Sequence, residues 1–505
     1  MKEVSGIKNL RMPRVSPLLL RNLLLALLTA VALILTVPRF DYFWLAPFAL
    51  APLLVAVARQ PSFLHRAALG WAAGIVYWFG VCYWIQFVLS VHGGMGEAGG
   101  WATFLLFCLA KGLHMALFAA LAGVIMRTAW AVPTVPALWV ALEATHGPLG
   151  FAWFALGNAG VNLNLPMRLA PYTGVYGLSF VFAMMSAGVA VVLLRRPRGE
   201  LLWLLILPLL ILLPSLPEPE RPQQTVVLVQ PNLSMDVEWT SESVERLHRR
   251  LVSASLEAAI QAGAPKPALI VWPEVPAPLY FYEDARFRDQ VATLTRVART
   301  GLLMGTVARN QDGAPLNSAL LLSSAGEPVS RYDKIKLVPF GEFVPWPFDF
   351  VNQISDEVGA FSPGREVVVS RMDGHRISTF ICYESVFPNL VRRFAAAGAE
   401  VLFNISNDGY FGTSAAREQH LKIVRMRAAE NGRWIVRATN NGITAAIDPA
   451  GRIRAAAPSY RETVERMPFD YRSDLTVYTR YGDWFAWLCA LMAGLALYLS
   501  REYVT

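Results

Sequence analysis

Between residues 18 and 216 the chain passes through seven apolar blocks separated by short polar links, and an eighth block covers 484–499. A helix needs roughly 20 apolar residues to cross the hydrocarbon core of a bilayer, where each backbone N–H and C=O must be satisfied within the segment. The blocks are 18–37, 43–58, 67–91, 101–126, 132–145, 172–194, 201–216 and 484–499. The fifth and seventh are short and contain proline, so the count is good to one. A mean hydropathy of +0.39, with 54% hydrophobic residues, excludes an ordinary water-soluble enzyme. Because further apolar blocks follow it, the first is not a cleavable leader.

Charge sets the expected orientation. Lys2, Lys8, Arg11, Arg14 and Arg21 crowd the N-terminus, Arg59 and Arg66 follow the second block, Arg127 the fourth, and Arg195, Arg196 and Arg198 the sixth. The link 92–100 has no Lys or Arg, and 147–171 has only Arg168. By the positive-inside rule both termini are cytoplasmic. The expected organisation is a seven-helix membrane domain over 1–216, an extracytoplasmic domain over 217–483, and an eighth helix with a cytoplasmic tail over 484–505. The net charge of +8 is partly this topology. No basic stretch is interleaved with aromatics, so no nucleic-acid partner is expected.

A proline-rich exit at 213–222 marks the boundary. Beyond it, apolar runs at 225–230, 268–272, 301–307, 317–323, 377–382, 401–406 and 434–439 read as buried strands. Amphipathic stretches at 241–263, 284–299, 389–397 and 414–430 read as helices, and the alternation predicts a layered α/β domain. Two strand–turn–strand signals, at 321–329 and 446–453, read as hairpins.

Cys382 is the only cysteine of this domain; Cys82, Cys108 and Cys489 lie in apolar blocks. An unpaired thiol at the end of a buried strand is either an inert core residue or a nucleophile. Glu274 and Lys334 sit at two further strand ends, where sites in layered sheets collect. Acyl transfer needs a thiolate, a base for its proton and a cation or donor for the oxyanion. Cys382, Glu274 and Lys334 fit those roles in that order. Lys334 would also lower the thiol pKa, and the Tyr383 N–H would add a donor if Cys382 sits on a tight elbow.

Trp272-Pro273-Glu274, Tyr332-Asp333-Lys334, Leu337-Val338-Pro339-Phe340-Gly341-Glu342, Cys382-Tyr383-Glu384 and Asn404-Ile405-Ser406-Asn407-Asp408 resemble the Glu-Lys-Cys signature of the nitrilase superfamily. The strings 337–345 and 173–180, together with the membrane helices, are similar to the apolipoprotein N-acyltransferases of the bacterial inner membrane. The resemblance implies a multi-pass α-helical membrane domain carrying an α/β nitrilase-like αββα sandwich. It implies acyl transfer from a phospholipid, typically phosphatidylethanolamine, through a cysteine thioester to the N-terminal amine of a diacylglyceryl-cysteine lipoprotein. Carried onto this sequence, Glu274 is the base, Lys334 the oxyanion partner and Cys382 the nucleophile. Glu342, Tyr383, Glu384, Asn317 and Trp239 match supporting or substrate-binding positions. Tyr410 stands where the family commonly has tryptophan, which implies altered acyl or headgroup packing. The apolar arms 275–282 and 345–350 would form a lid toward lipid.

Other readings stay open at this stage. A tethered amidase would hydrolyse soluble amides, although eight helices exceed what an anchor needs. A transporter or receptor would not need Cys382. Coupling to glycosyl-lipid synthesis would need a second catalytic domain. Lys111, His114 and Glu143 are intramembrane charges, functional candidates by default, yet nothing ties them to the chemistry, and pairing with one another or snorkelling to hold the bundle together is the preferred reading. His92, His146, His248, His375 and His420 show no metal-ligand spacing, so neither metal nor cofactor is expected. Nothing in a single catalytic set requires a partner subunit, so a monomer is expected.

Overall fold

The computed structural model describes residues 17–218, 221–235, 239–274, 277–343 and 361–501. Among the described residues, three helices are long and apolar enough to cross a membrane: Pro17–Leu35, Gly96–Ile125 and Val175–Leu193. A fourth is counted if the bent pair Phe63–Cys82 and Trp84–His92 forms one span. The remaining blocks hold shorter helices, and only the eighth, 484–499, matches its expected bounds. The expected helix 43–58 is a 3-10 turn, Phe43–Leu45, followed by Ala51–Ala58, because Pro47 and Pro52 lack the N–H that a continuous helix needs. Pro208 lies inside Arg198–Leu212, which is wound as a 3-10 helix. Ala131–Glu143 and Trp484–Leu499 have 13 and 16 residues.

The Phe63–Cys82 helix starts at Ser62, whose hydroxyl accepts the His65 N–H. It lies directly against Gly96–Ile125. A Cβ at Gly70 would stand 2.3 Å from the Met115 carbonyl oxygen, and one at Gly74 would stand 2.8 Å from the Gly112 Cα. Only glycine lets two helix backbones approach this closely. After Cys82 the chain bends by 62° into Trp84–Phe87 and a π-turn, Val88–His92.

Beyond the boundary, two six-stranded sheets stack. The first has the order β12-β1-β2-β3-β4-β5, built from β1 (Gln224–Gln230), β2 (Leu269–Val271), β3 (Gly301–Arg309), β4 (Pro315–Leu322), β5 (Pro328–Asp333) and β12 (Thr463–Phe469). The second has the order β11-β10-β9-β8-β7-β6, from β6 (Val369–Met372), β7 (His375–Ile381), β8 (Val401–Ser406), β9 (Trp434–Thr439), β10 (Ala445–Ile447) and β11 (Ile453–Ala456). The central strands pair in parallel and the edges antiparallel. Both expected hairpins form, as β4–β5 and β10–β11, with Gly326 and Gly451 at positive φ.

Alternation on β1 shows the layering. Val226 and Leu228 face the second sheet, while Val227 and Val229 pack with Leu247, Leu251, Phe287 and Val291 of the covering helices Ser241–Ala259 and Ala285–Ala298. Asp284 caps the latter through the Phe287 N–H at 2.9 Å. Pro388–Ala396 and Ala416–Asn431 cover the second sheet. This is an αββα sandwich. Its inner core is continuous with that of the membrane helices, one cluster running from Ala26 and Leu53 through Trp153 to Phe403.

Candidate active site

The three strand ends expected to carry chemistry converge. β2 leads to Glu274, β5 to Lys334 and β7 to Cys382, and all three line one cavity of about 320 Å³ with Glu342. Lys334 is 1% exposed; its Nζ stands 2.8 Å from Glu342 Oε1 and 3.2 Å from Glu274 Oε1. Asn317 on β4 donates through Nδ2 to the same two oxygens, at 2.7 Å for Glu274 and 2.6 Å for Glu342. The second Glu274 oxygen accepts the Asn407 N–H at 3.0 Å, and that of Glu342 accepts the Val338 N–H at 2.7 Å. Burial opposes the charge on Lys334, but the two carboxylates outweigh it and hold the ammonium well above its ordinary range. Lys334 is therefore a fixed donor and cation, not a base.

Cys382 has φ +49°, the left-handed region that L-residues avoid. The tight elbow is present: extended β7 turns at once into the 3-10 helix Cys382–Val386, which presents the thiol and the following N–H groups at the strand end. Burial, then the Glu274 charge, push the thiol above its ordinary range. Lys334 acts in the lowering direction expected from the sequence, but it is outweighed. The resting thiol keeps its proton and needs a base, and Glu274 shares its cavity.

The other cavity walls come from the membrane region. They include Trp84, Leu89, Phe107, Phe151 and Trp153, with Tyr410 and Phe411 from the loop after β8. Tyr383 stacks on Phe151 and Trp153 at centroid distances of 6.0 and 6.5 Å, and its hydroxyl donates to the Ala152 carbonyl. A carboxylate–ammonium–thiol set in a largely apolar, aromatic cavity lined by both the membrane region and the catalytic domain suits an acyl group with a long apolar tail.

Comparison with known proteins decides the family. The apolipoprotein N-acyltransferase N-terminal domain matches residues 29–188, and the carbon-nitrogen hydrolase domain matches 225–466. The chain is 34% identical to the apolipoprotein N-acyltransferase of Geobacter metallireducens, with 98% of each covered. It is 30% identical to that of Pseudomonas putida over 95% of this chain and 97% of that one. The chain belongs to the apolipoprotein N-acyltransferase family. It is an inner-membrane N-acyltransferase with a nitrilase-type catalytic domain. Among solved structures, an amidase from Nesterenkonia sp. aligns at 19% identity over 50% of this chain and 93% of that one, with a TM-score of 0.38.

Not every expected site residue of the acyltransferase reaches the cavity. Glu384 is fully buried behind it. One oxygen accepts the Tyr332 hydroxyl at 2.6 Å and the Ile335 and Lys336 N–H groups at 2.7 and 3.1 Å, and the other accepts the Ile381 N–H at 2.7 Å. It therefore ties the chain after Lys334 to the turn that carries Cys382. Trp239 is half-buried against the outer-face cluster of the first sheet and is not among the described residues lining the cavity. Tyr410 does line it, its ring edge-on to His92 at 5.0 Å. Of the expected arms, 345–350 and Val275–Pro276 lie outside the described residues. The remainder of the first arm is pinned over β3, with Leu279 and Phe281 buried and the Leu279 carbonyl accepting the Thr306 hydroxyl at 2.5 Å.

Sequence reasoning missed a buried network behind Cys382. Arg437 on β9 donates to Asp408 at 2.7 and 2.9 Å. His420 Nδ1 lies 3.1 Å from Asp408 Oδ1, while its Nε2 lies 2.8 Å from Ser385 Oγ and 3.1 Å from the Cys382 carbonyl. Asp408 does stand in a recognised motif, but its partners lie on other elements. Lys111 and His114 do not pair as a charged couple. Lys111 Nζ lies 2.8 Å from His146 Nδ1, the His114 ring packs on His146, and Glu143 accepts the Trp139 indole and Leu156 N–H groups.

Proposed function

We propose that this protein moves a fatty acyl chain from a phospholipid, with phosphatidylethanolamine the leading donor, onto Cys382. It then passes the chain to the N-terminal amine of an S-diacylglyceryl-cysteine lipoprotein. The observation that carries this is the location of Cys382, in a largely apolar cavity that membrane-region side chains help to wall. In the first half-reaction Glu274 takes the thiol proton and the thiolate attacks the ester carbonyl. The oxyanion is held by Lys334 Nζ and the Tyr383 N–H, and the lysolipid hydroxyl leaves with the proton from Glu274. In the second, the acceptor amine attacks the thioester, Glu274 takes its proton, and the thiol is restored. Asn317 and Glu342 position Glu274 and Lys334. One complete catalytic set in one chain supports action as a monomer.

The same reading places domains at 1–216, 217–483 and 484–505, with the catalytic domain periplasmic and both termini cytoplasmic. Arg59, Arg127 and Arg195 on alternate links support that orientation.

Mass spectrometry of the purified, detergent-solubilised enzyme tests the chemistry. Incubation with phosphatidylethanolamine should add one fatty-acyl mass to the Cys382 peptide, and a diacylglyceryl-cysteine peptide should discharge it onto its own amine. Discharge by water alone would point to a hydrolase. No adduct from any phospholipid would sink the thioester.

A further inference from the structure

The catalytic cavity contains a second cation, and it lacks a counter-charge. Lys111, on the Gly96–Ile125 helix, lines the cavity with Cys382 and is 7% exposed. Its ammonium donates to the Phe151 carbonyl at 2.9 Å, meets His146 Nδ1 at 2.8 Å and stands 5.2 Å from the Trp78 ring centroid. None of these partners is an anion, and Lys111 forms no ion pair among the described residues. Lys334, by contrast, lies between two glutamates. An ammonium has three N–H donors, and two are used. On the same cavity Trp84 is 5% exposed, and its indole N–H has no acceptor among the described residues.

A buried cation without an anion is costly, and so is a buried donor without an acceptor. Both costs fall away if the cavity's occupant supplies an anionic group with several oxygens. On the reading that the acyl donor is a phospholipid, its phosphodiester is such a group and enters with the ester. We infer that Lys111 and Trp84 form the subsite for the donor's phosphodiester, Lys111 giving the charge and Trp84 a neutral hydrogen bond. His146 and the Phe151 carbonyl hold the ammonium in place.

The rate of Cys382 acylation, followed by intact mass, tests this with phosphatidylethanolamine and with diacylglycerol of the same chains. Wild-type enzyme should prefer the phospholipid by roughly ten- to a hundredfold, the range of a hydrogen bond to a charged group. Lys111→Met should remove most of that preference, Lys111→Arg should keep it, and Trp84→Phe should lose a severalfold part. The thermal unfolding temperature of Lys111→Met in detergent should not fall, because the substitution removes an uncompensated charge. Equal use of the two donors by wild-type enzyme would overturn the subsite, as would a Lys111→Met enzyme slowed on both alike. Competition by millimolar inorganic phosphate that Lys111→Met abolishes would assign the site to a free anion instead. Absence of any adduct in wild-type enzyme would strike the thioester reading, a separate failure.

Discussion

Lys334 Nζ and Glu342 Oε1 lie 2.8 Å apart at one end of a cavity whose other walls are largely aromatic and aliphatic. Glu274 completes the arrangement from beyond the end of β2, in the same sheet as β5, and the Asn317 amide donates to both carboxylates. The site thus enters catalysis with its ammonium already oriented, and little reorganisation remains for the transition state.

Replacing Glu342 with glutamine leaves Lys334 one carboxylate and gives the Asn317 amide a competing donor. Acylation of Cys382 should slow by roughly ten- to a thousandfold, the cost of loosening a buried charged hydrogen bond. The rate is measurable by quenching at timed intervals and weighing the Cys382 peptide. A change within twofold would show that Glu274 alone is sufficient.

Cys382→Ser and Cys382→Ala should abolish the adduct and lower overall transfer by roughly a thousandfold or more. Neither removes a large core group, so the unfolding temperature should change little. A transfer rate that survives in Cys382→Ala would rule out a covalent route.

Glu384→Ala acts through the fold. It strands the Tyr332 hydroxyl and three backbone N–H groups in a buried place, and should cost about 3–5 kcal/mol of stability. Glu384→Gln should cost less, since it keeps one acceptor oxygen. Denaturant unfolding in mild detergent reads the difference. A stable Glu384→Ala enzyme with an impaired acylation rate would instead give Glu384 a place in the chemistry.

Asp408 predicts an acid-side loss of stability. Burial pushes its carboxyl up, but Arg437 and His420 outweigh burial and hold it below the ordinary range. An unfolded Asp titrates near about 4. Between the two values the unfolded chain binds a proton that the folded chain refuses. The stabilisation is therefore complete above about pH 5 and drains away as pH falls through 4. Asp408→Asn should be less stable at neutral pH and show a flatter dependence between about pH 5 and 3. Parallel curves for the two proteins would remove Asp408 from the acid response.

Sequence reading recovered the elements that are buried on both faces. β8 and β9 match the expected 401–406 and 434–439 to the residue, because each is a mainly apolar run between turn signals and is buried along its whole length. β6 and β12 escaped as strands, since edge strands expose half their side chains and carry no such run. Glu274, Lys334 and Cys382 were legible because local motifs surround each. The Asn404–Arg437 contact was not, because it needs the parallel register of β8 on β9. Lys111 and His146, 35 residues apart, meet only through helix packing.

The bend after Cys82 has a consequence for where the substrate waits. By turning the chain there, it sets Trp84, Val88 and Leu89 on the wall of the cavity that contains Cys382, beside Phe107 and Ala110 of the neighbouring helix. Pulling a sixteen-carbon tail into water would cost about 12 kcal/mol, at about 0.8 kcal/mol per methylene. A tail that slides between helices into this cavity exchanges one oily surrounding for another and avoids almost all of that climb. On the proposed reading, an acyl chain would reach Cys382 along apolar walls and would not have to be lifted into water.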